Sequence, residues 1–173
     1  KNIKLNKIDA DDIIAILCQK YHQQEKILIV SSDKDFQQLQ RYENVKQYSP
    51  LKKSYIVCEE PENFIIEHII KGDSSDGVPN VLSDDDTFVN KEKRQKPCGA
   101  KKVSMLRETL DELTSEPNWK RNQQMIDFNY IPDEIRQIIL DEFEKEPIGS
   151  RNNILNYFID NRLKNLMQHI EEF

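Results

Sequence analysis

The chain has 173 residues, with 25 basic and 31 acidic side chains and a formal net charge of −6. Its length is enough to bury a core, and periodic Ile, Leu, Val and Phe residues are typical of a folded chain. No apolar run approaches the roughly 20 residues of a membrane helix, and no secretory segment follows the N-terminus, so we expect no membrane contact and a cytoplasmic location. Three separated cysteines without a CxxC pair exclude a zinc ribbon and a disulfide framework.

The first 72 residues predict a partial parallel α/β sheet. The run 26–32 is almost continuously apolar, which is typical of a parallel strand buried on both faces. The predicted elements are, in order, a helix at 11–24, a strand at 26–32, a short helix at 35–41, strands at 45–48 and 53–58, and a helix at 61–71 that Pro61 begins and Gly72 ends.

The remainder predicts helices only. After an irregular stretch at 77–99, helices are expected at 100–114, 118–126, 132–145, 150–159 and 162–171, with Pro117, Pro132 and Pro147 near their boundaries. The last of these is expected to face the core. We therefore predict an α/β domain at 1–72 and an all-helical domain at 73–173.

Basic side chains are concentrated in one short stretch. Residues 91–107 contain seven basic side chains and one acidic side chain, whereas 73–90 contain five acidic side chains and no basic one. Such a cluster indicates either a solvated face or a surface that binds phosphate groups, since it makes a local positive field on an acidic protein. The second interpretation predicts DNA contacts from Lys91, Lys93, Arg94, Lys96, Lys101 and Lys102.

Acidic residues occur at the ends of three predicted elements. They are Asp9, Asp11 and Asp12 at the start of the first helix, Asp33 and Asp35 after the first strand, and Asp73 and Asp76 in the turn GDSSDG. Each group alone has a structural interpretation as a helix start, a cap or a turn. Together, seven neighbouring carboxylates would repel one another without a cation, so they predict a Mg²⁺ site. Two such ions would activate water and stabilise the leaving oxygen of a phosphodiester.

The order of these motifs resembles the structure-specific 5′-nucleases, a family that includes flap endonucleases and 5′ to 3′ exonucleases. The resemblance is carried by DADD (9–12), ILIVSSDKDFQQL (27–39) and KGDSSDGVP (71–79). The later run IDFNYIPDEI (126–135) and the final EEF are most similar to the ribonucleases H of T-even phages. The resemblance covers essentially the whole chain, and implies an incomplete PIN-like nuclease core followed by a helix-hairpin-helix-like duplex-binding domain and C-terminal helices.

The resemblance also implies roles. By position, Asp11 matches the main metal-coordinating aspartate of its motif, with Asp9 and Asp12 beside it. Asp33 matches a ligand of the first metal, and Asp35, Asp73 and Asp76 match the second-metal group. The catalytic residues would be Asp11, Asp33, Asp35, Asp73 and Asp76. The metal would be two Mg²⁺ ions, for which Mn²⁺ could substitute. The implied function is hydrolysis at 5′ ends of RNA primers and DNA flaps during replication, by a monomer in the host cytoplasm that could contact a single-stranded DNA-binding protein.

The sequence departs from the pattern of this family at several positions and lacks some of its motifs. Asp9 stands for the usual Glu and Gly77 for the usual Asn, the glycine pattern of a helix–hairpin–helix is missing, and the family's first metal-binding strand and basic arch do not precede Lys1. We therefore expect the C-terminal part of a nuclease. One alternative is a non-catalytic DNA-binding fragment. Another is a haloacid-dehalogenase phosphatase with Asp33 as nucleophile. The scattered His22, His68 and His169 do not predict a histidine metal site.

Overall fold

The protein is described by a computed structural model that covers residues 1–145 and 153–172. The chain forms two compact units, Leu5–Leu140 and Lys1–Lys4 with Asp141–Phe173. The start of the helix predicted at 150–159 and the boundary proline Pro147 lie outside the described residues. The larger unit contains every candidate site residue.

The larger unit is an α/β arrangement followed by helices, which confirms the predicted fold class. Its elements are α1 (Ala10–Tyr21), β1 (Ile27–Val30), a 3-10 helix (Asp35–Arg41), β2 (Val45–Ser49), β3 (Ser54–Ile56), α2 (Pro61–Lys71), α3 (Ala100–Glu108), α4 (Leu110–Leu113), α5 (Pro117–Ile126), a 3-10 helix (Phe128–Tyr130) and α6 (Asp133–Glu144), whose last turn belongs to the smaller unit. The single helix predicted at 100–114 is divided into α3 and α4 at Thr109.

The sheet has three strands in the order β1-β2-β3. β1 is parallel to β2, as predicted, with Ile27 opposite Val45, and β3 is antiparallel to β2. The prediction that the first strand is buried on both faces was wrong, because Leu28 and Val30 are 51% and 62% exposed. β1 is an edge strand whose Ile29 enters the core, while its alternate side chains point away from it.

Two hydrophobic clusters hold this unit together. One joins α1, the sheet and the first 3-10 helix through Ala15, Cys18, Ile29, Phe36, Leu39 and Val45. The other joins α2 to the region after residue 73 through Ile65, Ile69, Ile70, Val78, Val81, Val103, Leu113, Trp119 and Ile126. The α2 side chains therefore share a core with the helices that follow them.

Polar side chains of α5 fix the irregular stretch after α2. The buried Asn122 donates from Nδ2 to the carbonyl oxygens of Ile69 and Pro79, each at 2.8 Å. Its neighbour Arg121 donates from Nη2 to the Pro79 carbonyl at 2.9 Å and pairs through Nη1 with Asp85. These bonds satisfy backbone groups that no helix or strand satisfies, and so hold the end of α2 and the following turn in one geometry.

The smaller unit contains α7 (Ile154–Asp160), α8 (Lys164–Met167) and a final 3-10 helix (Ile170–Glu172). Phe158 is buried, and Lys1 Nζ donates to the carbonyl oxygens of Glu142 and Phe143 at 2.6 and 2.5 Å. The continuous core-facing helix predicted at 162–171 is instead two short segments, in which Leu166 is 39% exposed. None of the helices in the described ranges has the length and apolar character to cross a membrane.

Candidate metal centre and nucleic-acid surface

The candidate carboxylates gather around one cleft. The cleft has a volume of about 360 Å³ and is lined by Asp9, Asp11, Asp12, Asp35 and Asp76, with an apolar wall of Met125, Ile126 and Phe128. Asp33 acts electrostatically on both Asp11 and Asp35, and Asp73 acts on Asp35. The fold therefore brings all seven acidic residues, which come from three separate segments, into one neighbourhood.

The loop after β1 is fixed from the neighbouring strand. Gln47, fully buried on β2, donates from Nε2 to the carbonyl oxygens of Ser31 and Asp33 at 3.0 and 2.6 Å. The Asp33 carboxylate accepts the Asp35 N–H at 3.0 Å through Oδ1, which forms a local turn before the 3-10 helix. Asp33 can both form this turn and bind a metal ion, because the bond to the Asp35 N–H uses Oδ1 and not Oδ2.

The turn after α2 depends on a glycine. Gly72 has φ of +67°, and a Cβ atom there would lie 2.4 Å from the Val78 carbonyl oxygen. Beyond it, Asp73 Oδ1 accepts the Ser75 N–H at 2.9 Å and also the Ser75 hydroxyl. Asp73 is buried, at 4% exposed, whereas Asp76 lines the cleft as an exposed side chain.

Asp73 is surrounded by hydrogen-bond donors. Lys34 Nζ lies 2.7 Å from Asp73 Oδ2, and His68 Nε2 lies 3.1 Å from the same oxygen. Burial by itself raises the pKa of Asp73, but the bonds from Lys34, Ser75 and His68 outweigh it and hold that pKa well below the ordinary range. Lys71, two residues before Asp73, pairs with Glu67 instead.

The ionised forms of Asp35, Asp11 and Asp12 are unfavourable in this site. Burial, together with the charge of Asp33, raises the pKa of Asp35 to about 7. Burial followed by the charge of Asp33 raises the pKa of Asp11, and burial followed by the charge of Asp9 raises that of Asp12. A bound divalent cation would relieve this repulsion, because its charge favours the ionised form of each carboxylate.

His68 is a residue that the sequence reasoning missed. It projects from the last turn of α2, is 8% exposed, and lies between two of the candidate aspartates. Its Nδ1 is 3.5 Å from Asp35 Oδ1, and one ligand atom each from Asp35, His68 and Asp73 lie within 4.8 Å of one another. His68 therefore lies beside two candidate aspartates, a position that the scattered histidines of the sequence did not predict. The only signal in the sequence is its position one helical turn before Gly72.

The residues present fit a divalent cation. The donors are mostly carboxylate oxygens, which suit Mg²⁺ and Mn²⁺. Within the described part of the chain, buried Asp35 Oδ1 makes no hydrogen bond, although a buried polar atom is normally satisfied. A metal ligand is the kind of atom that is left without a hydrogen bond in the absence of its ion.

The predicted basic residues lie on a loop and on the start of α3, and all six are exposed. Lys93 differs from the other five, because its Nζ pairs with Asp84 and Asp86 at 3.0 and 2.6 Å. The loop itself is anchored, since the Lys96 N–H donates to Ser83 Oγ at 2.9 Å and Asn80 Nδ2 donates to the Lys96 carbonyl at 2.7 Å. The structure thus presents five further exposed cations on a backbone of defined geometry, which are Lys91, Arg94, Lys96, Lys101 and Lys102.

Comparison with known proteins gives matches along the whole chain. Residues 59–173 match the family model described as T4 RNase H, C terminal, and residues 1–68 match the model described as 5′-3′ exonuclease, N-terminal resolvase-like domain. The ribonuclease H of Enterobacteria phage T4 is 36% identical over 182 residues, which takes in 98% of this chain and 59% of the relative.

Two bacterial relatives match a shorter region. A 5′-3′ exonuclease of Buchnera aphidicola subsp. Schizaphis graminum is 38% identical over 90 residues, covering 47% of this chain and 31% of the relative. Flap endonuclease Xni of Shewanella woodyi is 35% identical over 92 residues, covering 46% and 36%. The chain spans less than two thirds of the length of each relative. Because one family model covers more than half of the chain, and the phage T4 relative aligns along nearly all of it, the chain belongs to the 5′-nuclease family, in the group of T4 ribonuclease H.

Proposed function

We propose that this chain carries metal-binding residues and a duplex-binding surface of a Mg²⁺-dependent 5′-nuclease. The intact nuclease would hydrolyse phosphodiesters at the 5′ ends of RNA primers and DNA flaps on duplex DNA during replication. The observation that carries this proposal is the cleft, where carboxylates from three segments converge in a member of a nuclease family. Two Mg²⁺ ions, with Mn²⁺ as a substitute, would be held by Asp9, Asp11, Asp12, Asp33, Asp35, Asp73 and Asp76.

Each residue of the site has a task that its surroundings support. Gln47 and Gly72 fix the two loops, so that the carboxylates converge before any ligand arrives. Bound Mg²⁺ would supply an activated hydroxide and stabilise the leaving oxygen, so no protein nucleophile is needed. Lys34 offsets part of the carboxylate charge by pairing with Asp73. The cleft therefore favours attack by water on a phosphodiester that the metal-ligand carboxylates alone would repel.

The exposed cations would bind the backbone of the duplex. Lys91, Arg94, Lys96, Lys101 and Lys102 can contact phosphates without reading base edges, and amides at the start of α3 could face a phosphate. Lys93 is expected to contribute less, because Asp84 and Asp86 already neutralise it. Its role would be to hold the acidic run of the loop beside the basic one.

Calorimetry with a variant in which two carboxylates are replaced by neutral amides tests the metal site. Asp33→Asn combined with Asp35→Asn preserves side-chain size but removes two candidate ligands, so Mg²⁺ and Mn²⁺ binding should be lost while the circular-dichroism spectrum is preserved. The matched control is Asp111→Asn with Glu112→Gln, which neutralises two exposed acidic residues of α4. Unchanged metal affinity in the first variant would sink the metal-site proposal and leave Asp33 as a turn residue.

A cleavage assay separates the nuclease from the alternative of a non-catalytic DNA-binding chain. If this chain binds metal but does not cleave a 5′-flap duplex, the result would favour a non-catalytic, DNA-binding role for the isolated chain. Membership in the 5′-nuclease family leaves the phosphatase interpretation without support. A monomeric state, action in a host cytoplasm and contact with a single-stranded DNA-binding protein remain predictions from the resemblance.

A further inference from the structure

His68 is buried in an acidic cluster with one ring nitrogen unused by the described residues. Its Nε2 is bonded to Asp73 Oδ2 at 3.1 Å. Its Nδ1 makes no hydrogen bond within the described ranges, and neither does Asp35 Oδ1, which lies 3.5 Å away. Both atoms are buried, so bulk water does not satisfy them, and leaving two facing polar atoms unsatisfied is unfavourable. Two lone-pair donors at this separation are arranged as neighbouring ligands of one ion would be.

The bond between His68 and Asp73 also determines which ring nitrogen can bind an ion. The Asp73 carboxylate accepts a hydrogen bond, so in the neutral imidazole Nε2 carries the proton and Nδ1 keeps its lone pair. Histidines that bind metals commonly donate their second N–H to a carboxylate, which orients the ring and strengthens the ligand. The geometry of Asp73, His68 and Asp35 corresponds to such a carboxylate–histidine–metal arrangement.

We propose that His68 Nδ1 and Asp35 Oδ1 are ligands of one divalent ion, with Asp73 as the carboxylate that orients the imidazole and not as a ligand of that ion. This inference rests on the proposed function, because it adds a nitrogen ligand to that metal centre. It also changes the expected metal preference. Oxygen ligands suit both Mg²⁺ and Mn²⁺, but a transition-metal ion accepts an imidazole nitrogen more readily than Mg²⁺ does, with affinity rising from Mn²⁺ to Co²⁺. This site should therefore favour Mn²⁺ over Mg²⁺ more strongly than a site made of carboxylates alone.

Electron spin-echo envelope modulation of the Mn²⁺-loaded protein tests the ligand directly. The wild-type chain should show ¹⁴N coupling from a coordinated imidazole. In His68→Gln the side-chain amide can still donate to Asp73 but offers no ring nitrogen, so the coupling should vanish. The control is His22→Gln, since the His22 ring stacks on Tyr42 at 4.2 Å, away from the acidic residues, and its loss should leave the coupling intact.

Calorimetry with Mn²⁺ and Mg²⁺ gives the second readout. His68→Gln should lower the Mn²⁺ affinity by at least about tenfold. Loss of a residue that only orients a metal ligand already lowers metal affinity by about tenfold or more, and His68 is proposed as a ligand itself. The Mg²⁺ affinity should fall less. Mn²⁺ binding without ¹⁴N coupling in the wild-type chain would overturn the role of His68 but leave the carboxylate site intact. Absence of binding for both ions would instead overturn the proposed metal centre, and the role of His68 with it.

Discussion

Asp35 offers the sharpest test of the electrostatics of the site. Its carboxylate has a pKa raised from 3.8 to about 7 by burial and by the charge of Asp33. A carboxyl group with a raised pKa in the folded state stabilises the protein at low pH, and this contribution is lost as the pH rises through the folded-state pKa. Asp35→Asn removes the titration but preserves the shape. In metal-free buffer, the variant should therefore become more stable than the wild type as the pH rises.

The expected size follows from the two pKa values. A shift from 3.8 to about 7 corresponds to at most about 4 kcal/mol in the free energy of unfolding. The difference between Asp35→Asn and wild type should grow by up to that amount between about pH 4 and pH 8. Saturating Mg²⁺ should reduce or reverse the advantage of the variant, because the ion stabilises the ionised carboxylate and Asn is a poorer ligand.

Urea unfolding with EDTA, at intervals of half a pH unit, measures this difference. Asp73→Asn provides the contrast, because hydrogen bonds from Lys34, Ser75 and His68 hold the pKa of Asp73 below its ordinary value. That carboxylate stabilises the fold above about pH 4, and the contribution is lost as the pH falls. Asp73→Asn should thus be less stable than the wild type at pH 7, by a margin that shrinks in acid. A difference between Asp35→Asn and wild type that does not change with pH would refute the reasoning for Asp35.

The remaining predictions concern the loops and the basic surface. Gly72→Ala should lower the free energy of unfolding by about 3 kcal/mol or more, because the new Cβ would clash with the Val78 carbonyl. Gly77 also has a positive φ but has open space around it, so Gly77→Ala should lower that free energy by only about 1 to 2 kcal/mol. Equal losses in chemical denaturation would contradict the steric argument. Asn122→Ala should lower the free energy of unfolding by about 1 to 3 kcal/mol, since the buried Ile69 carbonyl loses its Asn122 donor and the Pro79 carbonyl keeps only that of Arg121. An unchanged thermal midpoint would count against this. Neutralising the five exposed residues of the predicted basic surface other than Lys93 should weaken duplex binding. The slope of log K against log salt concentration should become shallower by up to about 0.9 for each phosphate that the variant no longer binds. Lys93→Ala is the matched control and should change the slope little, while an unaltered slope in the multiple variant would show that the surface does not bind DNA. The multiple variant changes Lys91, Arg94, Lys96, Lys101 and Lys102.

Local patterns in the sequence predicted most elements of the larger unit, although not the division of the helix predicted at 100–114. The spacing of apolar residues and the flanking Pro61 and Gly72 predicted α2 with both ends correct, since a proline at the first turn and a glycine after the last are local signals. The parallel strand β1 and the acidic motifs at element ends were predicted for the same reason. The order of those motifs was also sufficient to indicate the nuclease family.

Contacts between distant residues were decided only by the tertiary structure. Leu28 and Val30 are exposed because one face of the sheet is open, as the exposed Lys46 of the central strand β2 also shows, and the apolar run 26–32 does not reveal this. Lys34 pairs with Asp73, whereas Lys71, which is nearer in the sequence, pairs with Glu67; His68 Nδ1 lies 3.5 Å from Asp35 Oδ1. Sequence spacing reports neighbours along one helix or strand. Which side chains meet across elements depends on how those elements pack, and so His68 could be found only in the folded chain.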